Sequence, residues 1–171
     1  GTVTAGNSSP LTDGAAAVLL MKEETARAEG FEPLAFVKDW AVAAVDPGGQ
    51  LLMGPALAVP QVLQKTGLEL SDMDLVEMHE AFGAQVASNL QALESETWAK
   101  EKLGRSTPVG KIDRGRLNVS GGSIALGHPF GATGARITTT LAHEMKRCDA
   151  KHGLISVCAQ GGMGFAMILE R

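Results

Sequence analysis

The chain has 171 residues, of which 44% are hydrophobic and 20% are charged, and its formal net charge is −4. This length can bury one substantial core, and the composition is ordinary for a globular protein. The negative charge argues against a nucleic-acid or anionic-membrane partner, and no apolar run approaches the ~20 residues that span a bilayer.

The first 45 residues predict a turn-rich start, then strand, helix and strand. Residues 1–13 are rich in Gly, Asn, Ser, Pro and Asp, which favour turns. The continuous apolar run Ala15–Met21 predicts a strand buried on both faces. Lys22–Glu29 predicts a helix that stops at Gly30, and Pro33–Val45 predicts a second strand.

The middle of the chain continues the alternation of helix and strand. A helix begins at Pro55 or Pro60 and ends near Thr66, and Leu75–Met78 predicts a third strand. A further helix is indicated by apolar residues near helical spacing: Phe82, Val86, Leu90 and Leu93. The charged stretch 94–116 predicts a surface excursion that contains a short helix.

The last third predicts a helix and two strands. Ile137, Leu141 and Met145 share one face of a helix that starts at Pro129. Gly153–Val157 and Phe165–Leu169 are close enough to form an antiparallel hairpin. Together the elements predict an α/β domain over residues 1–171, with a mixed, mostly parallel five-stranded sheet covered by helices on both faces.

Reactive side chains follow two of these strands. His79 follows Leu75–Met78 and Cys158 follows Gly153–Val157, and in open α/β sheets ligands bind beyond the carboxyl ends of strands. Each also has a structural interpretation, in which His79 only closes a strand and Cys158 is an inert core thiol. Glu77, inside the third predicted strand, is interpreted as a surface acid.

His128 precedes Pro129, and proline favours the first position of a helix. The positive end of the helix dipole would disfavour the protonated imidazole, so His128 can act as a general base near pH 7. The alternative is a glycine-rich turn that contains an incidental histidine.

Several other kinds of site are excluded. Gly134-Ala135-Arg136 does not supply the Gly-Lys-Ser/Thr of a phosphate-binding loop, and no G-x-G-x-x-G opens a helix after a strand. The two cysteines and scattered histidines lack the paired spacing of a zinc site, so no metal is expected.

Four segments in order resemble the signatures of the thiolases. They are Thr2-Val3-Thr4-Ala5-Gly6-Asn7-Ser8-Ser9, His79-Glu80-Ala81-Phe82, Gly127-His128-Pro129 and Cys158-Ala159-Gln160-Gly161-Gly162-Met163-Gly164. The resemblance spans almost the whole chain and implies the C-terminal domain of a thiolase. The N-terminal domain, which in this family carries the nucleophilic cysteine, is expected in a longer polypeptide from which this chain is cut.

The resemblance implies a role for each matched residue. His128 would activate the nucleophilic cysteine, and Cys158, as a thiol of near-neutral pKa, would move a proton to or from the α-carbon of the substrate. Ser9 would touch the pantetheine arm of coenzyme A. His79 stands where many thiolases have Asn and would donate to an oxyanion, as in the β-subunit of the trifunctional fatty-acid-oxidation complex.

Gln160 and Gly161 correspond to the substrate-binding loop of the family. A glycine is common at the position of Gln160, whose backbone N–H contributes to a second oxyanion hole. Coenzyme A and acyl-CoA are implied as substrates, with no permanently bound cofactor.

The implied activity is that of a 3-ketoacyl-CoA thiolase, an acyltransferase that cleaves a β-keto thioester with coenzyme A and releases acetyl-CoA in fatty-acid β-oxidation. Two alternatives stay open: a biosynthetic acetoacetyl-CoA thiolase, and a non-catalytic assembly module when the piece stands alone. The piece by itself is expected to be inactive because it lacks the nucleophile.

The resemblance also implies partners and a location. The N-terminal thiolase domain, further copies in a homo-oligomer and a multifunctional β-oxidation α-subunit are the expected protein partners. With only Cys148 and Cys158, no disulfide framework is indicated, which favours a reducing compartment. The expected location is the cytoplasm in a bacterium or the mitochondrial matrix in a eukaryote.

Overall fold

A computed structural model describes all residues, 1–171, and contains one four-stranded sheet. The strands are β1 (Phe36–Ala44), β2 (Leu75–Met78), β3 (His152–Ala159) and β4 (Met163–Glu170). They lie in the order β1-β4-β3-β2. The antiparallel hairpin of β3 and β4 is confirmed, β1 is antiparallel to β4, and only β2 and β3 are parallel. The α/β class is therefore confirmed, but the prediction of a mostly parallel sheet is wrong.

The predicted fifth strand, Ala15–Met21, is absent. This segment has no regular secondary structure and pairs with no strand, and Leu19 and Leu20 are 71% and 72% exposed. A strand forms only where its N–H and C=O groups meet a partner, and no neighbour is in place here. The apolar pattern correctly identifies a segment suited to burial, but nothing in the chain buries it.

Seven helices surround the sheet. They are α1 (Glu23–Ala28), α2 (Pro47–Gln50), α3 (Pro55–Thr66), α4 (Gly83–Glu94), α5 (Glu96–Leu103), α6 (Ser123–Leu126) and α7 (Phe130–Cys148). Of the two predicted starts for α3, the structure selects Pro55 and keeps Pro60 inside the helix. None of the helices has both the length and the apolar composition that crossing a membrane requires.

Helices cover both faces of the sheet, so the expected α/β/α layering is present. On one face, Leu154 and Ile168 belong to a core shared with Val59 of α3 and Leu90 of α4. On the other face, Ile155, Leu169 and Leu75 pack with Leu141 and Met145 of α7. β2, β3 and β4 each supply residues to both cores, because successive side chains of a strand point to opposite faces of the sheet.

Part of the sheet face that packs against α7 is not covered by a helix. Trp40 and Val42 on β1 are 54% and 63% exposed, whereas Ala41 between them is buried on the α3 side. An apolar groove of about 690 Å³ lies here, lined by residues 17–21, residues 31–37 and part of α7. Exposed apolar surface of this extent commonly marks an interface.

The excursion 94–116 contains the predicted short helix, α5. Ser95 caps it by accepting a hydrogen bond from the Trp98 N–H, and Gly104 ends it in the left-handed conformation. The Trp98 indole Nε1–H donates to the Ala56 carbonyl oxygen of α3 at 3.4 Å. That carbonyl needs another donor because Pro60, four residues later, has no N–H. The excursion is thus anchored on α3.

Candidate active site

Two histidines from distant parts of the chain stack on each other. His79 continues β2 by one residue, and its N–H donates to the Ser156 carbonyl oxygen of β3 at 2.8 Å. His128 lies in the turn between α6 and α7. The centroids of the two imidazole rings are 4.1 Å apart, with the ring planes tilted by 40°. Because His79 directly follows β2, as predicted, this contact places His128 beside the carboxyl end of the same strand.

The N-terminal loop joins both histidine segments. The Ser9 N–H donates to the Ala81 carbonyl oxygen at 3.0 Å, and the His128 N–H donates to the Pro10 carbonyl oxygen at 3.1 Å. Ser9 is half-buried. The loop therefore places Ser9 beside the His79–Phe82 segment. The next residue, Pro10, accepts the hydrogen bond from His128.

His79 is 2% exposed and is held in its neutral form. Burial first, and then the neighbouring His128 and Arg136, lower its pKa to about 4. Its Nδ1 lies 2.8 Å from the Ser123 hydroxyl oxygen. A neutral, hydrogen-bonded imidazole is suited to donating a hydrogen bond rather than to carrying a charge.

His128 is more accessible to solvent than His79, and its ring is held by two residues of α7. Its Nδ1 lies 2.7 Å from the Thr133 hydroxyl oxygen, and Phe130 packs edge-on at a centroid distance of 4.6 Å. Burial first, and then the charge of Arg136, lower its pKa. Pro129 is the N-cap and α7 begins at Phe130, one residue later than predicted. A neutral His128 is thus supported, but by burial and Arg136 rather than by the helix dipole.

Cys158 lies near the end of β3 and is 5% exposed. Burial raises the pKa of its thiol to about 11, although the backbone N–H groups of Cys158 and Ala81 lower it. The expectation of a near-neutral thiol pKa is therefore wrong for this chain, because desolvation outweighs the backbone dipoles. Cys158 rests as a protonated thiol, close to the backbone of the His79–Phe82 segment.

The loop after Cys158 is a tight glycine turn. Gly161 and Gly162 have φ of +77° and +82°, and the Gly162 carbonyl oxygen accepts a hydrogen bond from the Val45 N–H. The Gln160 side chain is exposed and makes no hydrogen bond. Gln160 and Gly161 follow Cys158 closely in the chain, and no hydrogen bond joins either of them to His79 or His128.

Buried polar residues that the motifs do not single out lie behind the histidines. Glu77 is 3% exposed, so its interpretation as a surface acid is wrong. Burial raises its pKa to about 7, while Arg136 acts in the opposite direction. Glu77 is buried because β2 pairs with β3, meets Leu117 at its other edge and packs against α7, all of which are far away in sequence.

Two further residues brace the end of β2. Asn118, in the left-handed conformation, bonds both the N–H and the carbonyl of Met78, at 2.8 Å and 2.9 Å. Its Nδ2 also donates to the Glu80 carboxylate, which accepts the Ile124 N–H at 3.1 Å. The only local signal for these contacts is the turn-forming tendency of Asn, so the sequence cannot identify them.

The chemistry available here is proton transfer and hydrogen-bond donation by neutral groups. The two imidazoles and one thiol differ in their pKa values, which is the pattern expected where acid, base and donor roles are divided. No group of three or more His, Cys, Asp or Glu side chains in the structure has the arrangement of a metal site.

Comparison with known proteins agrees with the motifs. Residues 31–171 match the family described as "Thiolase, C-terminal domain", and residues 1–24 match "Thiolase, N-terminal domain". A 3-ketoacyl-CoA thiolase of Shewanella sp. (strain W3-18-1) is 51% identical over 170 residues, which are 99% of this chain and 39% of that protein. The Shewanella loihica 3-ketoacyl-CoA thiolase is 52% identical, with the same two shares. The chain therefore spans well under half the length of these curated relatives.

Solved structures give the same result. The acetyl-CoA acetyltransferase of Bacillus anthracis matches with a TM-score of 0.82 at 42% identity, over 99% of this chain and 38% of that one. Human mitochondrial 3-ketoacyl-CoA thiolase in complex with CoA matches with a TM-score of 0.81 at 38% identity, over the same shares. The predicted resemblance is confirmed, and the chain belongs to the thiolase family.

Proposed function

We propose that this chain is the C-terminal catalytic part of a 3-ketoacyl-CoA thiolase, which cleaves a 3-ketoacyl-CoA with coenzyme A in fatty-acid β-oxidation. The observation that carries the proposal is the stacking of His79 on His128 at 4.1 Å, beside the segment that contacts Cys158. The names of the bacterial relatives and the CoA complex of the human thiolase support this choice of substrate.

His128 is the base of the proposed reaction. The His128 Nδ1 lies 2.7 Å from the Thr133 hydroxyl oxygen. The proposal assigns the ring proton to Nδ1 in the reacting state, which leaves the Nε2 lone pair free to take the proton of the nucleophilic cysteine. The lowered pKa of His128 keeps the ring neutral and ready to accept this proton near pH 7. The resulting cysteine thiolate attacks the 3-keto carbon, and the bond between C2 and C3 then breaks.

Cys158 is the acid in the cleavage direction. When the bond between C2 and C3 breaks, the electron pair remains on C2 as the enolate of acetyl-CoA, and the Cys158 thiol protonates that carbon. A thiol whose pKa is about 11 rests protonated, which suits this step. Coenzyme A then attacks the acyl-cysteine, and the proton of its thiol restores Cys158. The cysteine thiolate that leaves takes back the proton held by His128, which closes the cycle. His79 donates to the thioester oxyanion, a contribution of a few kcal/mol for one well-aimed donor.

The nucleophile is supplied by the N-terminal thiolase domain of the full-length protein. We place that domain over the apolar groove, against Trp40 and Val42. Residues 1–24 support this placement, since they match the N-terminal domain and part of them lines the groove. Residues 1–171 by themselves would then be a folding and assembly module without thiolysis activity.

The same proposal extends to location and assembly. The relatives are bacterial and both cysteines are unpaired, which supports a reducing cytoplasm. A homo-oligomer, and an α-subunit partner of the β-oxidation complex, rest on the resemblance of the His79–Phe82 motif. Ser9, Gln160 and Gly161 remain the proposed contacts to the CoA substrate.

The test is steady-state thiolysis by the full-length protein, with 3-ketoacyl-CoA substrates of increasing chain length and coenzyme A. The proposal predicts turnover of 3-ketoacyl-CoA substrates longer than acetoacetyl-CoA and release of one acetyl-CoA per cycle. Activity restricted to acetoacetyl-CoA would instead identify the biosynthetic enzyme. The isolated 171-residue chain is the matched control, and we expect no turnover from it.

A further inference from the structure

The geometry points to Ser123 and Arg136 as positioning residues that fix the tautomer of His79, so that Nε2 carries the proton and faces the oxyanion. This inference rests on the proposed function, since it explains how one of two stacked histidines becomes a donor while the other remains a base. None of the motifs contains Ser123 or Arg136.

The hydrogen bonds form a short chain. The Arg136 Nη2 donates to the Ser123 hydroxyl oxygen at 2.9 Å, and that oxygen lies 2.8 Å from the His79 Nδ1. Ser123 is 1% exposed and His79 is 2% exposed. No other group accepts a hydrogen bond from the Ser123 hydroxyl.

The hydrogen of the Ser123 hydroxyl therefore has one acceptor within reach, the His79 Nδ1. A hydroxyl has one hydrogen and two lone pairs, and an arginine can only donate. Because Arg136 occupies a lone pair, the Ser123 hydroxyl hydrogen is satisfied when it points to Nδ1 of His79. If Nδ1 itself donated, the hydroxyl hydrogen would be buried without an acceptor, which is costly. The neutral ring thus carries its proton on Nε2.

Arg136 serves this arrangement through its charge as well as its hydrogen bond. Its Nε and Nη1 atoms are buried and make no hydrogen bond. Burial is the main cause of the lowered pKa of both histidines, and the guanidinium adds to it by disfavouring their protonated forms, while Glu77 is the acidic group nearby that interacts with Arg136. Burial and Arg136 together help to keep His79 a neutral donor.

The three residues are held by separate elements. His79 directly follows β2, Ser123 is the first residue of α6, and Arg136 lies in the second turn of α7. The Glu80 carboxylate accepts the N–H of Ile124, next to Ser123, and so fixes the start of α6 relative to the same strand end. Such bracing restricts how far the Ser123 hydroxyl can move from Nδ1.

The direct test is solid-state ¹⁵N NMR of the resting full-length protein labelled at histidine, with His79→Gln to assign the ring signals. We expect a bare Nδ1 and a protonated Nε2 on His79, and a mixture of tautomers in Ser123→Ala. A proton on Nδ1 of the unmodified protein, or an unchanged tautomer in Ser123→Ala, would overturn the inference. Because no substrate is present, the result does not depend on whether the protein is a thiolase.

A double-mutant cycle then tests whether Ser123 acts through His79. We expect Ser123→Ala to lower kcat about tenfold, less than the 10²–10³ lost with a whole oxyanion donor, and to have little effect in a His79→Ala background. An equal loss in both backgrounds would refute a role through His79. Ser120→Ala removes an exposed hydroxyl from the same loop and is the matched control, with kcat expected to remain unchanged.

Discussion

The substitution Glu77→Gln tests whether β2 is buried as the structure has it. Burial raises the Glu77 pKa from its ordinary value of 4.5 to about 7. The folded state therefore binds a proton that the unfolded state releases, and the stability present below pH 4.5 is lost as the pH rises through 7. At about 1.4 kcal/mol per pH unit, the full loss of unfolding free energy is about 3 kcal/mol. Most of this loss develops between about pH 5 and about pH 8.

Glutamine keeps the shape of the side chain without the charge. We expect Glu77→Gln to gain about 2–3 kcal/mol relative to the unmodified protein between about pH 5 and about pH 8. The assay is urea denaturation of the full-length protein at several pH values, with Glu101→Gln on the exposed side of α5 as the control. If the difference in unfolding free energy between Glu77→Gln and the unmodified protein were the same at about pH 5 and at about pH 8, Glu77 would not be a buried carboxyl.

Three further substitutions test the fold and the chemistry. Cys158→Ser should still form the acyl-enzyme but should lose carbon–carbon cleavage; full turnover, measured as acetyl-CoA release, would rule out the proton-transfer role. Gly164→Ala should unfold the protein or destabilise it by several kcal/mol, because a Cβ there would overlap the backbone of Gly54. A melting temperature close to that of the unmodified protein would contradict this packing. Trp98→Phe should cost about 1 kcal/mol through loss of the bond to the Ala56 carbonyl, and an unchanged urea midpoint would mean that the excursion is not anchored there.

Elements whose partners lie in the chain could be predicted from the sequence. β3 and β4 follow from two apolar runs joined by a short glycine turn, and β2 from an apolar run before His79. Ala15–Met21 has an equally clear pattern but forms no strand, because apolar residues indicate only that a segment can be buried. Whether it pairs depends on a neighbour, and the chain does not supply one.

In the site, too, residues in local motifs could be predicted, whereas contacts between distant residues could not. His79, His128 and Cys158 belong to recognisable motifs, and the structure brings the first two into contact. Ser123 is 44 residues from His79, and no local pattern indicates their hydrogen bond. The pKa of Cys158 could not be predicted either, since it depends on how far folding removes the thiol from water.

The most direct test of the central claim is acylation of the nucleophilic cysteine in the full-length His128→Ala protein. Intact-mass spectrometry after rapid mixing with a 3-ketoacyl-CoA should detect a covalent acyl adduct on the unmodified enzyme within the first turnover. Since a positioned base contributes about 10²–10⁴ in rate, His128→Ala should form no detectable adduct on that timescale. A normal burst of acylation in His128→Ala would contradict the account, because this chain would then not supply the base of the reaction.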